Sequence, residues 1–121
     1  MLIKHLKDFQ KFIAGDDSLL RELLHPDKSD LKIRYSLAHA QVAPGKKTKP
    51  HILQTSEVYY ILTGQGLMTI NGESTPVEPN CVVYIPPNSV QYIENTCDTT
   101  LEFLCIVDPA WRESDEKILN S

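Results

Sequence analysis

The chain is poor in cysteine, tryptophan and glycine, with three, one and five of them in 121 residues. Cys81, Cys97 and Cys105 are too few and too widely spaced for a disulfide framework or a close zinc pair. Each is expected to behave as a small apolar side chain, with Cys105 also a candidate to face a ligand cavity. Positive charge is not in excess either. Twelve Lys and Arg against sixteen Asp and Glu leave a net charge of −4. Nucleic acid and anionic membranes both require a basic face, so neither is an expected partner. No apolar run approaches the ~20 residues of a membrane span. The opening "MLIKHLKDFQKF" lacks the apolar stretch and small-residue cleavage site of a signal peptide, and a cytoplasmic protein is the expectation. What remains, 41% hydrophobic and 23% charged residues, is globular composition for one domain with a single core.

The first 30 residues are expected to form a helical N-terminal arm. Leu2, Leu6, Phe9 and Ile13 recur at helical spacing, and Gly15 interrupts them. "DDSLLRELLHP" then supplies N-cap candidates, a stripe of Leu20, Leu23 and Leu24, and Pro26 as a stop. From Leu31 the texture becomes β, in runs such as "LKIRYSLAHAQV", "VYYILT", "GLMTI", "CVVYI", "VQYIEN" and "LEFLCIV". Turn residues separate them, and Asn71-Gly72 is the sharpest signal because a type I′ hairpin needs positive φ at both positions. About eight short strands so closely punctuated predict a β-sandwich or small barrel over 31–108. Residues 109–121 read as a turn followed by a short polar helix or a tail.

Two stretches carry a recognisable pattern. In "GKKTKPHILQTSEVYYILTG", Gly45 precedes His51 by six positions, Glu57 follows six later, and Gly64 closes the run. This resembles the first cupin motif, G-x5-H-x-H-x3,4-E-x6-G, with Leu53 in place of the second histidine. "NCVVYIPPNSVQYIEN" resembles the second motif, G-x5-P-x-G-x2-H-x3-N. There Pro86 and Asn95 match, Asn80 and Asn88 replace glycines, and Gln91 replaces the histidine. Asn is a mild change at such positions because it tolerates left-handed backbone angles. The phrases "SEVYYIL", "VYIPPN" and "FLCIVDPAW" are similar to those of small single-domain cupins of bacteria and archaea.

The resemblance implies a mainly β fold, the double-stranded β-helix or jelly-roll barrel, with a metal inside it. Carried over position by position, it implies His51 and Glu57 as retained ligands, Gln91 as an altered one and Leu53 as a lost one. Such an N/O set suits Fe(II), Mn(II), Ni(II) or Zn(II) without choosing among them. His39 shares a strand face with Tyr35, Leu37 and Gln41; it either faces the interior and replaces the missing ligand, or packs elsewhere. His5 and His25 are expected in surface or capping roles. Tyr59, Ile93 and Cys105 are candidates to line a substrate cavity, whereas Tyr60 should point to packing or a subunit interface. Trp111 either caps the barrel mouth or packs on a neighbour. The lysines of "GKKTKP" are a solvated loop or a lure for an anionic substrate. The functional expectation is a metal-dependent isomerase, lyase or dioxygenase acting on a small organic molecule. The alternative is a non-catalytic small-molecule-binding barrel whose metal site has decayed. A homodimer formed through edge strands and the N-terminal arm is also implied.

Overall fold

The computed structural model describes residues 1–119. Eleven strands, all paired antiparallel, form two facing sheets: β1 (Phe12–Ile13), β2 (Leu19–Leu24), β3 (Ser36–Val42), β4 (His51–Leu53), β5 (Ser56–Thr63), β6 (Gly66–Ile70), β7 (Glu73–Val77), β8 (Val82–Ile85), β9 (Val90–Asn95), β10 (Leu101–Asp108) and β11 (Glu116–Ile118). One sheet runs in the order β1-β2-β3-β10-β5-β8, the other β11-β4-β9-β6-β7. The closely spaced turns predict a β-sandwich or small barrel, and two facing antiparallel sheets are what forms, as the jelly roll implied by the cupin resemblance requires.

Alternation along the strands decides what lies between the sheets. Ala40, Phe103 and Ile61 stand side by side on β3, β10 and β5 and are all but fully buried, facing Ile93 and Met68 of the other sheet. Burying an aromatic or aliphatic side chain of this size stabilises by about 1.5–3 kcal/mol. Tyr59 and Phe103 add an aromatic pair with ring centroids 4.5 Å apart. Asn95 closes the end of the core. Its Nδ2 donates to the carbonyls of Val42 and Thr99, and its Oδ1 accepts from the Cys97 amide, so three backbone groups are satisfied by one side chain.

The turns form where the residue types require them. Asn71 and Gly72 both have positive φ, +50° and +83°, between paired β6 and β7. Asn80 and Asn88, at the two positions where the cupin pattern has glycine, also adopt positive φ, +75° and +63°.

The N-terminal helical segment is not formed. Leu6–Asp8 is a single 3-10 turn, capped by the His5 side chain, and the rest of the arm holds strands β1 and β2 with turns between and after them. Ala14 to Ser18 make a tight reversal in which Asp16 Oδ1 accepts from the Ser18 amide and hydroxyl, 3.0 and 2.7 Å away. Beyond it, β2 adds to the edge of β3, pairing Leu20 with Ala40 and Glu22 with Ala38. A leucine stripe this short stabilises a helix only weakly, while the open edge of β3 offers a ladder of backbone partners. The chain after Pro109 is likewise not a helix beyond one 3-10 turn at Glu113–Asp115; it ends in β11, which pairs with β4. Asn120 and Ser121 of the expected tail lie outside the described residues.

Candidate functional site

Strand alternation brings His51, Glu57 and Gln91 to the space between the sheets. His51 and Gln91 are direct partners across β4 and β9, and Glu57 comes from β5 of the opposite sheet. They are 2%, 7% and 0% exposed, so each polar atom needs an account. His51 Nδ1 lies 2.8 Å from the Lys49 carbonyl. A carbonyl only accepts, so Nδ1 carries a proton and Nε2 is the ring nitrogen left to face the cavity. A metal-ligating imidazole is usually held in this way.

Glu57 is arranged differently. Gln91 Nε2 donates to Glu57 Oε1 at 3.0 Å, and the Tyr59 hydroxyl donates to Gln91 Oε1 at 3.1 Å. Burial pushes the Glu57 carboxyl up to about 8, the amide of Gln91 holds it down, and Asp16 and Glu116 raise it further. Burial also drives the Tyr59 hydroxyl and the Cys105 thiol upward, so both stay neutral donors or apolar surface.

The residues face a cavity of about 430 Å³ whose walls include His51, Glu57, Tyr59, Phe103, Cys105 and Trp111. Of the three residues named as cavity candidates, Tyr59 and Cys105 are in this wall. Ile93 does not line the cavity; it is fully buried in the core below, opposite Met68. Gln91 reaches the site through its hydrogen bonds rather than by lining the walls. Trp111 stands in the wall, its amide held by Ser36 Oγ at 2.9 Å and its carbonyl 2.6 Å from His25 Nε2.

His39 is not in the set. Ala38 and Ala40 occupy the inward face of β3, which turns His39 to the outer face, where its Nε2 lies 3.2 Å from Glu102 Oε1. Desolvation lowers its pKa, and Glu102 opposes that shift. Tyr60 also faces outward, bonded to Asn80 Oδ1 at 3.0 Å. The lysines of the 45–50 loop stay off the cavity wall: Lys47 lies over the Tyr92 ring and Lys49 lies 3.7 Å from Asp17.

Acidic residues that the motif does not mark also line the cavity, among them Asp16 from the β1–β2 turn and Glu116 from β11. Asp16 Oδ2 is 3.9 Å from His51 Nε2. Glu116 pairs across from Leu53, and its carboxyl is raised by burial, opposed by His51 and raised again by Asp16. The only sequence signal for either was its acidity, which "GDDS" and "ESDEK" share with many loops. Among the described residues, no three of His, Cys, Asp and Glu converge closely enough to form a finished metal shell. The fit to a metal is thus partial. His51 offers a bare nitrogen and Glu57 one oxygen free of protein hydrogen bonds among the described residues, while the Gln91 amide oxygen is engaged by Tyr59.

Comparison with known proteins agrees with this architecture. Residues 38–107 match the cupin domain family. An uncharacterised protein of Methanocaldococcus jannaschii is 42% identical over 109 residues, 89% of this chain and 86% of that one. An oxalate-binding protein of Thermotoga maritima is 34% identical over 71 residues, covering 58% of this chain and 59% of the relative. Among solved structures, the polyketide cyclase RemF of Streptomyces resistomycificus superposes with a TM-score of 0.83, covering 100% of this chain and 87% of that one; at 20% identity the likeness is one of fold. The family match spans more than half of the chain and coincides with the two-sheet barrel that holds His51 and Glu57, so the chain belongs to the cupin family.

Proposed function

We propose that the barrel binds one divalent metal at His51 and Glu57 and acts on a small organic molecule in the adjoining cavity. The observation that carries this is the His51 imidazole: its Nδ1 is committed to the Lys49 carbonyl, and its Nε2 opens into the cavity that the buried Glu57 carboxyl group also lines. A bound Fe, Mn, Ni or Zn ion supplies Lewis-acid polarisation of a carbonyl or enolate oxygen.

The protein's own groups define the rest. Gln91 fixes Glu57 through its amide and is itself fixed by Tyr59, so the carboxylate is presented in one orientation. Gln91 serves here as a positioning residue instead of a ligand. Tyr59, Phe103 and Cys105 form the inner wall and keep water from the carboxylate, while Trp111 borders the cavity. With two family histidines replaced, isomerase or lyase chemistry suits the site better than dioxygen chemistry.

Metal analysis tests this reading. After incubation with Fe(II), Mn(II), Ni(II) or Zn(II) and desalting, the wild type should retain about one ion per chain, and His51→Ala should retain almost none. A wild type free of all four ions sinks the proposal. The second reading, a non-catalytic binding barrel, draws on the Tyr59–Gln91–Glu57 chain, which satisfies the buried polar groups in the protein itself. It predicts that metal-free outcome.

We also propose that the protein is a homodimer. Tyr60, Leu62, Val82, Tyr84 and Ile106 leave an exposed apolar surface on the outer face of the six-stranded sheet, and Leu2, Ile3, Phe12 and Ile13 do so on the arm. No helix of the described residues is long and apolar enough to cross a membrane.

A further inference from the structure

We infer that the cavity admits an uncharged aromatic molecule, stacked on Trp111, and rejects carboxylates and phosphates. In this assignment His25 and Ser36 position Trp111, and Ala38 limits the size of what enters. The inference deepens the reading of a small organic substrate and rests on that reading's cavity, not on its metal.

The hold on Trp111 is the first argument. Ser36, on β3, and His25, just after β2, are 3% and 5% exposed, and both direct their side chains at the Trp111 backbone. The Trp111 amide donates to Ser36 Oγ at 2.9 Å. On the other side the Asp27 amide donates to His25 Nδ1 at 3.0 Å, so Nδ1 is the acceptor and Nε2 carries the proton. That N–H donates to the Trp111 carbonyl, 2.6 Å away. Two buried polar side chains thus clamp one residue of the cavity wall at both its amide and its carbonyl. An indole that only filled space would be held by its own packing, whereas a clamped backbone keeps the ring oriented for a partner.

The rest of the wall suits a flat apolar guest. Two of the chain's three phenylalanines, Phe12 and Phe103, line it together with the single tryptophan and Tyr59. Tyr59 and Phe103 form a tilted pair deep in the barrel, and Phe12 is half-exposed, so aromatic side chains bound the cavity from its inner end outward. Rings stack in offset or tilted arrangements that a further ring can extend. The space itself, about 430 Å³, is room for a small ring compound. It lies against β3, where Ala38 pairs with Glu22 on one side and Cys105 on the other and presents only a methyl group to the cavity. A larger side chain there would occupy the guest's place.

Charge decides against anions. Asp16, Glu22, Glu57, Glu113 and Glu116 line the cavity, and among the described residues the one lysine or arginine in its wall, Lys28, is paired with Glu22. An entering carboxylate or phosphate would leave water, meet like charge and find no free cation. An organic cation is disfavoured as well. Asp16 Oδ1 is taken by Ser18 and Glu22 by Lys28, while Leu20, Val107 and Ile118 give a charged group no hydrogen-bond partner from their side chains.

Calorimetric titration of the full chain, both metal-loaded and chelator-treated, with β-naphthol, β-naphthoate and β-naphthylmethylammonium tests the assignment, because the three share a ring system and differ in charge. β-Naphthol should bind both forms about tenfold more tightly than either ion. Ala38→Leu should lower β-naphthol affinity about tenfold, and so should Trp111→Leu, which keeps apolar bulk without the ring face. Circular dichroism checks that these variants fold like wild type. His25→Ala should free Trp111, read as a red-shifted and less polarised emission from this single tryptophan, and should weaken binding about fivefold. His25→Gln keeps a donor and should restore both. The inference is overturned by either ion binding as tightly as β-naphthol, by wild-type affinity in Ala38→Leu and Trp111→Leu, by unchanged emission in His25→Ala, or by β-naphthol binding neither form. None of these results alters the metal content that decides the His51–Glu57 reading.

Discussion

A carboxyl group buried as deeply as Glu57, with a single amide donor, costs free energy to ionise. In the unfolded chain it titrates near 4.5, and in the native barrel near 8. Between those values the native state holds a proton that the unfolded state has lost, so stability falls as pH rises through this window. One pKa unit corresponds to about 1.4 kcal/mol, and by pH 7 the penalty reaches at most about 3 kcal/mol. Glu57→Gln removes the ionisation and keeps an acceptor for Gln91. Urea unfolding of the metal-free proteins should show wild type losing stability between pH 5 and pH 8, with Glu57→Gln markedly flatter. Parallel curves would show that Glu57 ionises without penalty. At the same scale, the Gln91 amide donates to Glu57 through Nε2 while its Oε1 accepts from Tyr59, so one side chain ties the two buried groups together.

One of the turns where strands meet leaves no room for a side chain. Gly64, between β5 and β6, has φ +83°, and a Cβ there would lie 2.8 Å from the Thr100 carbonyl oxygen and 2.9 Å from Leu101 Cα. Both contacts are backbone and cannot swing away. Gly45 also has positive φ, +72°, but a Cβ there meets nothing within 4 Å. Gly64→Ala should therefore destabilise by about 2–3 kcal/mol and Gly45→Ala by about 1 kcal/mol. Thermal melts that show equal effects would assign the whole cost to the dihedral angle and none to the contact. The β1–β2 hairpin belongs to this scale too, because the Asp16–Ser18 turn reverses the chain and also delivers Asp16 to the cavity.

At the scale of the molecule, the six-stranded sheet has one face in the core and an outer one with an exposed apolar patch on β5, β8 and β10. Val82 and Tyr84 are 68% and 61% exposed on β8, next to Tyr60 and Leu62 on β5. An edge strand carrying such side chains is suited to a second copy of the chain. Multi-angle light scattering at micromolar concentration should give twice the chain mass, and Tyr84→Asp should return the mass to that of a monomer. A monomeric wild type would reject the dimer. The cavity lies on the opposite, inner face, so Tyr84→Asp should leave metal binding unchanged.

The sequence by itself determined the barrel and the inward-facing positions of His51, Glu57 and Gln91. Period-two runs, Asn71-Gly72, and Asn at the two positions of left-handed backbone all act locally, through dihedral preference and alternation. The spacing of His51, Glu57 and Gln91 is equally local, since each is placed by its own strand. Only the tertiary structure decided what the two ends of the chain do. The leucine stripe of residues 19–24 has helical spacing, and it is the open edge of β3 that makes it a strand. His39 has the same alternation as an interior residue in isolation, and only the pairing of Ala38 and Ala40 with Cys105 and Phe103 turns it outward. Asp16 and Glu116 are a hundred positions apart, and nothing local marks either one. They face the same cavity because the edge strands of the two sheets close over it, an outcome that belongs to pairing partners and not to propensity.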